Sequence, residues 1–421
     1  MNVWREPSWS GSSVERKSAG FLGLVVAWVP WAGNIGRVNL KVFRQRLGSV
    51  CRIAHSGAQT VLAAVCSLLD RAHLEKPPPR EPYVQGVTAS SAVIAWVGDE
   101  PGVGAVEYGE TPRLGRKRAD SNTGRRHAVA LTDLQPASTY HYRVAGSDRS
   151  SAARFRTAPA RKASPFSFAV VGDSGDGGKP QLEVARLLEH LKPDLILHAG
   201  DVVYPRGKEK DYDRRFFTPY RTLIREVPLF PVLGNHDVQH RDGAAYLNNF
   251  HPPLHSPRST KRFYSFDWGN AHFVAMDSEL YYDDRGGNPE QQKAFLQRDL
   301  ATTRKRWRFA LLHRSLYSSS RHGGDENIRE DLEPLFADHG VDVVFSGHDH
   351  AYERTAPVRG VTHVMSGGGG RELYPAGKGK WTACSKSTHH AVLVHVDDSR
   401  IVLEAIEPDG SVFDRWHLVR T

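Results

Sequence analysis

Between Glu81 and Pro159 apolar residues fall on alternate positions in short runs, such as Ala92-Val93-Ile94-Ala95-Trp96-Val97 and Thr139-Tyr140-His141-Tyr142-Arg143-Val144. A period of two marks strands with one buried face. Turn-rich stretches separate the runs, Gly98 to Gly102 and Asp120 to Gly124 among them. That rhythm predicts a small all-β sandwich. The segment holds no charged cluster with catalytic spacing, so its expected role is structural or oligomerising, and a homo-oligomer is one possible arrangement.

After Arg161 to Ser164 the pattern changes to uninterrupted apolar runs that stop at glycine and a polar residue. Phe168 to Val171 runs into Gly172-Asp173, and Leu195 to Leu197 leads through His198-Ala199 into Gly200-Asp201. Leu229 to Leu233 ends in Gly234-Asn235-His236, Phe309 to Leu312 in His313, and Val343 to Phe345 in Ser346-Gly347-His348. Runs without alternation predict strands buried on both faces. Helical patterns lie between them at Pro180 to Leu191, Asp211 to Glu226 and Pro289 to Thr303, and Asp173 to Asp201 fits one strand-helix-strand unit. The expected fold is an α/β domain preceded by the all-β sandwich. Polar residues just past strand C-termini in such sheets face a ligand crevice.

Residues 1–80 behave differently. They carry eleven Lys and Arg against four Asp and Glu, a net charge of +7 out of +9 for all 421 residues, with no acidic residue between Arg16 and Leu69. The basic excess is therefore a leader, and the near-neutral remainder lacks the charge footprint of a nucleic-acid enzyme. Two apolar segments, Phe21 to Trp31 and Thr60 to Leu69, have the length of a signal-peptide core but lack a clean positive cap and cleavage site. The leader reads either as a targeting segment, with export to a periplasm or outside the cell, or as a loosely ordered extension or over-long start. No apolar run reaches the ~18 residues of a spanning helix, so no integral membrane domain is expected. Three cysteines, Cys51, Cys66 and Cys384, make no disulfide framework. The Lys76-Pro77-Pro78-Pro79 stretch is the expected linker, which divides the chain into 1–80, 81–159 and 160–421.

The strand ends bring together the carboxylates of Asp173 and Asp201, the phenol of Tyr204, the amide of Asn235 and the imidazoles of His313, His348 and His350. Seven donors exceed the needs of one ion. Hard oxygens mixed with imidazoles suit Fe, Mn or Zn, and one bridging carboxylate would divide the set into two sites.

These motifs resemble the purple acid phosphatases within the calcineurin-like metallophosphoesterases. The likeness covers roughly residues 81 to 416 and implies, for the α/β domain, two mixed sheets flanked by helices. It rests on Gly172-Asp173-Ser174-Gly175, Gly200-Asp201-Val202-Val203-Tyr204, Gly234-Asn235-His236-Asp237, the run into His313, and Gly347-His348-Asp349-His350. Leu134-x-Pro136-x-x-x-Tyr140 likewise resembles the corner of fibronectin type III-like domains. Most metallophosphoesterases carry histidine two residues after the first aspartate; Gly175 stands there, and Tyr204 arrives from the next strand end, which points to the purple branch.

By that resemblance Asp173, Tyr204 and His350 would hold Fe(III). Asn235, His313 and His348 would hold a divalent Fe, Zn or Mn ion, with Asp201 bridging. The implied activity is an acid phosphatase that attacks small phosphorylated substrates with metal-bound hydroxide. A phosphodiesterase or nucleotide pyrophosphatase using the same metals is the alternative, and a non-catalytic binding protein a third reading. His236 is expected beside the phosphate as hydrogen-bond partner or general acid, and His322 as a substrate-facing histidine whose usual following histidine is replaced by Gly323. Tyr352-Glu353-Arg354 is expected to support the ligands, and His389-His390 to be a solvated pair.

Overall fold

A computed structural model describes residues 77–146, 152–160, 165–254, 259–282 and 288–420, all within the compact unit Glu75–Thr421. Most of the expected leader lies outside the described residues. Seven strands come first: β1 (Arg80–Gln85), β2 (Ala92–Val97), β3 (Ala105–Gly109), β4 (Arg116–Ala119), β5 (Arg126–Leu131), β6 (Thr139–Val144) and β7 (Ala153–Arg156). They form antiparallel sheets ordered β1-β2-β5 and β4-β3-β6-β7. Alternation does what the sequence implies: in β6 Tyr140, Tyr142 and Val144 are buried while Thr139 and Arg143 face solvent. At the corner, the Tyr140 hydroxyl accepts from the Gln135 amide at 2.9 Å, which fixes the entry into β6.

The following domain contains β8 (Phe166–Val171), β9 (Leu195–His198), β10 (Leu229–Pro231), β11 (Tyr264–Trp268), β12 (Ala271–Ala275), β13 (Trp307–Leu311) and β14 (Val343–Ser346). It continues with β15 (Tyr352–Thr355), β16 (Thr362–Ser366), β17 (Thr382–Lys386), β18 (Ala391–Val396), β19 (Arg400–Ile406) and β20 (Val412–Val419). Two mixed sheets result, ordered β10-β9-β8-β18-β19-β20 and β11-β12-β13-β14-β16-β15-β17. Their inner faces share one aromatic core. Phe168 of the first sheet meets Phe273, Phe309 and Phe345 of the second edge-on, with centroids 5.1–5.7 Å apart.

Three longer helices cover the outer faces: α1 (Lys179–Leu191), α2 (Pro289–Thr302) and α3 (Glu326–Asp338). Val184 and Leu188 of α1 pack on Ala169, Val171 and Ile196, while Leu296 of α2 and Leu332 of α3 pack on Val274, Ala310 and Val344. With the inner faces already buried, helices outside leave neither side of these strands to water. Both α2 and α3 start on side-chain caps, Asn288 to Gln291 N and Asp325 to Ile328 N, each 3.1 Å.

The stretch Asp211 to Glu226, expected as one helix, is broken. Glu209–Tyr212 and Arg221–Ile224 are short helical turns flanking a wider turn at Asp213–Phe217. Tertiary demand explains it: Tyr212, Phe216, Phe217 and Tyr220 are all buried, too many directions for one helix face, and Asp213 turns toward the sandwich. There Arg80, buried, joins Asp213, Glu209 and Asn249.

Candidate metal centre

Strands β8, β9 and β10 run parallel, as do β12, β13, β14 and β16, so the residues after β8, β9, β10, β13 and β14 gather at one rim. Two groups form there. In the first, the Tyr204 hydroxyl lies 3.1 Å from both Asp173 Oδ1 and His350 Nε2, and His350 Nε2 is 3.7 Å from Asp173 Oδ1. In the second, Asn235 Oδ1 lies 3.0 Å from His313 Nε2 and 2.9 Å from His348 Nδ1, and these two nitrogens are 3.3 Å apart. Asp201 Oδ1 approaches His313 Nε2 at 3.5 Å, and Asp173, Asp201 and His313 offer ligand atoms within 4.8 Å of one another. All seven expected donors are thus brought together.

The backbone is bent to achieve this. Asp173, Asp201 and His348 adopt left-handed φ of 57°, 51° and 73°. Non-glycine residues take that conformation at a cost that the surroundings must offset. Gly175 explains why no histidine stands two residues after Asp173: a Cβ there would lie 1.9 Å from Val202 O. The Val202-Val203 backbone occupies that space, and Tyr204 N donates to Gly175 O at 2.9 Å, delivering the phenol in its place.

Proton bookkeeping shows what the cluster lacks. His313 Nδ1 faces Ala199 O at 2.8 Å and His350 Nδ1 faces Glu372 O at 2.7 Å; a carbonyl only accepts, so both Nδ1 atoms carry the hydrogen. Their Nε2 atoms therefore turn lone pairs toward Asp201, Asn235, Asp173 and Tyr204. Burial lowers the basicity of His313 and His350, and burial with neighbouring His313 pushes His348 down to about 2. Burial, then the charge of Asp201, holds Asp173 well above the usual carboxylate range, and burial with both aspartates raises the Tyr204 phenol. Lone pairs converging with few hydrogens between them fit cations, so the residues present suit a metal pair.

The two expected substrate histidines flank the donors. His236, half-buried, donates from its backbone N to Asp201 Oδ1 at 2.8 Å and from Nδ1 to Pro205 O at 2.7 Å, leaving Nε2 3.9 Å from Asp201 Oδ2. His322 is exposed, stacked on His348 with centroids 4.5 Å apart. A polar cavity of about 380 Å³ beside it is lined by Tyr282, Arg314, Asp325, Asn327 and His348.

Other residues were not singled out by the sequence. Asp237 is buried and accepts from the amides of Val202, Val203 and Gly234 at 3.0–3.1 Å, tying the loop after β9 to the loop after β10. Asp349 accepts from Ser318 Oγ at 2.6 Å and His322 N at 2.9 Å, holding the loop of His322. Both stand inside the quoted motifs, next to candidate donors, which was the available signal. Tyr374, stacked 4.1 Å from His350, comes from a loop with no motif at all.

Two expectations are corrected. Tyr352-Glu353-Arg354 does not touch the donors: Tyr352 and Arg354 bond Asp414 on β20, and Glu353 receives Ser319, Trp381 and Thr382. The alternation of β15 directs these side chains along the sheet and into loops rather than to the rim. Nor are His389 and His390 a solvated pair, since only His389 keeps partial exposure. His390 is fully buried, with Nε2 3.1 Å from Ser366 Oγ and Nδ1 on Thr388 O, and His389 Nδ1 lies 3.2 Å from Gly368 O, because entry into β18 passes beneath the glycine-rich turn.

Comparison with known proteins agrees with this geometry. Residues 166–352 match the calcineurin-like phosphoesterase family and residues 79–157 the purple acid phosphatase N-terminal domain. Purple acid phosphatase 15 of Arabidopsis thaliana is 32% identical over 291 residues, 58% of this chain and 54% of that protein. Purple acid phosphatase 22 of the same plant is 31% identical over 298 residues, 63% and 65% of the respective chains. The chain thus spans between about half and two thirds of these relatives' length. The structure of a purple acid phosphatase from yellow lupin (Lupinus luteus) seeds shares the fold, with a TM-score of 0.71 at 23% identity over 82% of this chain and 75% of that one. With both domains matched in order and the donors assembled at the strand ends, the chain is similar to the purple acid phosphatases among the calcineurin-like phosphoesterases.

Proposed function

We propose that this protein is an acid phosphatase that hydrolyses phosphate monoesters of small molecules with two metal ions. The observation that carries the reading is the pair of donor groups just described, with their lone pairs turned toward one another. Asp173, Tyr204 and His350 would hold one ion and Asn235, His313 and His348 the other, with Asp201 shared. A phenolate donor favours Fe(III) at the first position, and the amide and imidazoles accept Fe, Zn or Mn at the second. When bound, such a pair supplies Lewis acidity, making water acidic enough to attack phosphorus and offsetting charge on the phosphoryl oxygens.

The chain's own groups divide the remaining work. His236, its Nδ1 hydrogen engaged by Pro205, presents Nε2 to hold a proton for the leaving oxygen. His322 presents a second imidazole across the mouth, positioned by its stack on His348 and by Asp349. The same reading divides the chain into a leader (1–80), a sandwich (81–159) of fibronectin type III-like kind, and a catalytic domain (160–421).

Metal analysis of purified protein, with hydrolysis of an aryl phosphate monoester and of its bis-aryl diester, tests the proposal. Turnover of the monoester at acidic pH is expected. Faster turnover of the diester would replace it with a phosphodiesterase, and a metal-loaded protein inert to both would leave a binding role.

A further inference from the structure

Three arginines stand around the mouth of the site, and their partners distinguish them. Arg314 meets Glu279 through Nε and Nη2 at 2.9 Å each and lies 4.1 Å over the Tyr282 ring. Arg371 places Nη1 2.6 Å from Asp176 Oδ1 and lies 5.1 Å over the Tyr204 ring. Both charges are matched by a carboxylate. Arg321 is exposed and lies 4.8 Å over the Tyr374 ring, with no carboxylate partner among the described residues.

Tyr374 is a fixed spacer rather than a free side chain. Its ring lies flat on His350, 4.1 Å away at 19°, and meets His322 edge-on at 5.5 Å. Its backbone N donates to His350 O at 2.9 Å, and its carbonyl accepts from Ser387 Oγ at 2.7 Å. The acidic groups nearby are otherwise engaged: Asp349 by Ser318 and His322 N, Glu372 by Arg371 at 4.0 Å, and Asp173 within the donor set. One aromatic ring therefore separates a donor histidine from a guanidinium that has no carboxylate partner among the described residues.

A guanidinium fork pairs best with the oxygens of a carboxylate or phosphate. A neutral alkyl or aryl leaving group offers Arg321 nothing, whereas an anionic group attached to the scissile oxygen can reach it while the first phosphoryl group sits at the donors. We infer that Arg321, set by Tyr374, is a specificity-determining residue that selects substrates whose leaving group carries a second negative charge, the simplest being a diphosphate. The inference rests on the phosphatase reading above. For inorganic pyrophosphate, the bond from one phosphorus to the bridging oxygen breaks and a bond to the oxygen of water forms. The two protons of water end one on each orthophosphate released.

The test uses the metal-loaded full chain as wild type, Arg321→Gln and Arg321→Lys. It measures kcat/KM for pyrophosphate and for p-nitrophenyl phosphate, and calorimetric binding of methylenediphosphonate and of orthophosphate. Arg321→Gln should lower pyrophosphate kcat/KM and methylenediphosphonate affinity by about five- to tenfold, a charge-assisted contact weakened by exposure. The aryl ester and orthophosphate should stay within about twofold, Arg321→Lys should fall between, and the diphosphonate preference should shrink with salt. Equal losses on all four probes would make Arg321 a contact for any phosphate, no loss would make it an ordinary solvated cation, and either result would overturn the inference. If wild type turns over no monoester, the phosphatase reading fails alone, and the diphosphonate-to-orthophosphate ratio of the variants still decides the role of Arg321.

Discussion

Replacing Arg80 by alanine tests how the sandwich is fastened to the α/β domain. The Arg80 guanidinium meets Asp213 through Nε and Nη2 at 2.6 and 2.8 Å, Glu209 at 2.7 Å and Asn249 Oδ1 at 2.6 Å, and lies 4.1 Å over Phe217. Breaking a buried pair by removing one partner costs about 3–5 kcal/mol, because the other charge is stranded. Two features reduce that here: Glu209 keeps Arg126 at 2.7 Å, and the Asp213 side chain is 24% exposed. We therefore expect the lower end, about 3 kcal/mol, with Arg80→Lys intermediate because a compact ammonium keeps the charge but not the planar fork that pairs Asp213 bidentately. Urea unfolding followed by tryptophan fluorescence gives the free energy, and metal content serves as control, since no donor contacts Arg80. A truncation beginning at Glu81 should behave like the alanine variant, whereas one beginning at Lys76 should keep stability, metals and turnover. An Arg80→Ala protein within about 0.5 kcal/mol of wild type, the size of a surface pair, would refute the buried-staple argument.

Tyr204→Phe should abolish the visible charge-transfer band of iron-loaded protein while metal analysis still finds two ions and some hydrolysis survives; an iron-loaded wild type without a visible band would remove the phenolate assignment. Asn235→Ala or Asp201→Ala should lose metal and activity together, whereas His236→Ala should keep metal and lose ~10²- to 10⁴-fold in turnover, less for good leaving groups. An equal loss across leaving groups would restrict His236 to binding. His272 sits between Asp267 and Asp299 at 2.8 and 2.7 Å; burial alone would lower its pKa, but the two carboxylates outweigh it and raise it to about 9. A folded pKa raised above the unfolded 6.5 gives stability present below pH 6.5 and lost as pH rises through 9, amounting to about 3 kcal/mol. His272→Gln should flatten wild-type stability over that window in denaturant titrations, and an unchanged slope would disprove the pairing.

What could be read from the sequence follows from burial on two faces. Phe168 to Val171 and Val343 to Phe345 read as strands buried on both faces, and the polar residues at their ends gather at one rim, so the candidate cluster was legible from the sequence alone. The helices at Pro180 and Pro289 were legible from the proline at their first turn, and both form, at Lys179–Leu191 and Pro289–Thr302. Asp211 to Glu226 was misread because its buried aromatics answer to neighbours far along the chain. Strands such as β11, β15 and β17–β20 carry no polar stop at that rim, and α3 begins on an aspartate cap within a loop, so pattern alone left them unassigned. His390 was misjudged because nothing local reveals the Gly368 turn that covers it, and Arg321 and Tyr374 meet only through loops that run independently.

The position of β18 in the first sheet has a consequence for synthesis. Val392 to Val396 pair with Phe166 to Val170, so the strand that begins the α/β domain, though joined early by β9, waits more than two hundred residues for its second neighbour. Every candidate donor, through His350, is made before that neighbour exists. A ribosome-bound chain thus exposes the open edge of β8 and the aromatic core behind it while the donors are already available. Emergence of β18, not of the donors, is then the event that closes the sheet, and cations arriving earlier meet the right residues on an unfinished scaffold.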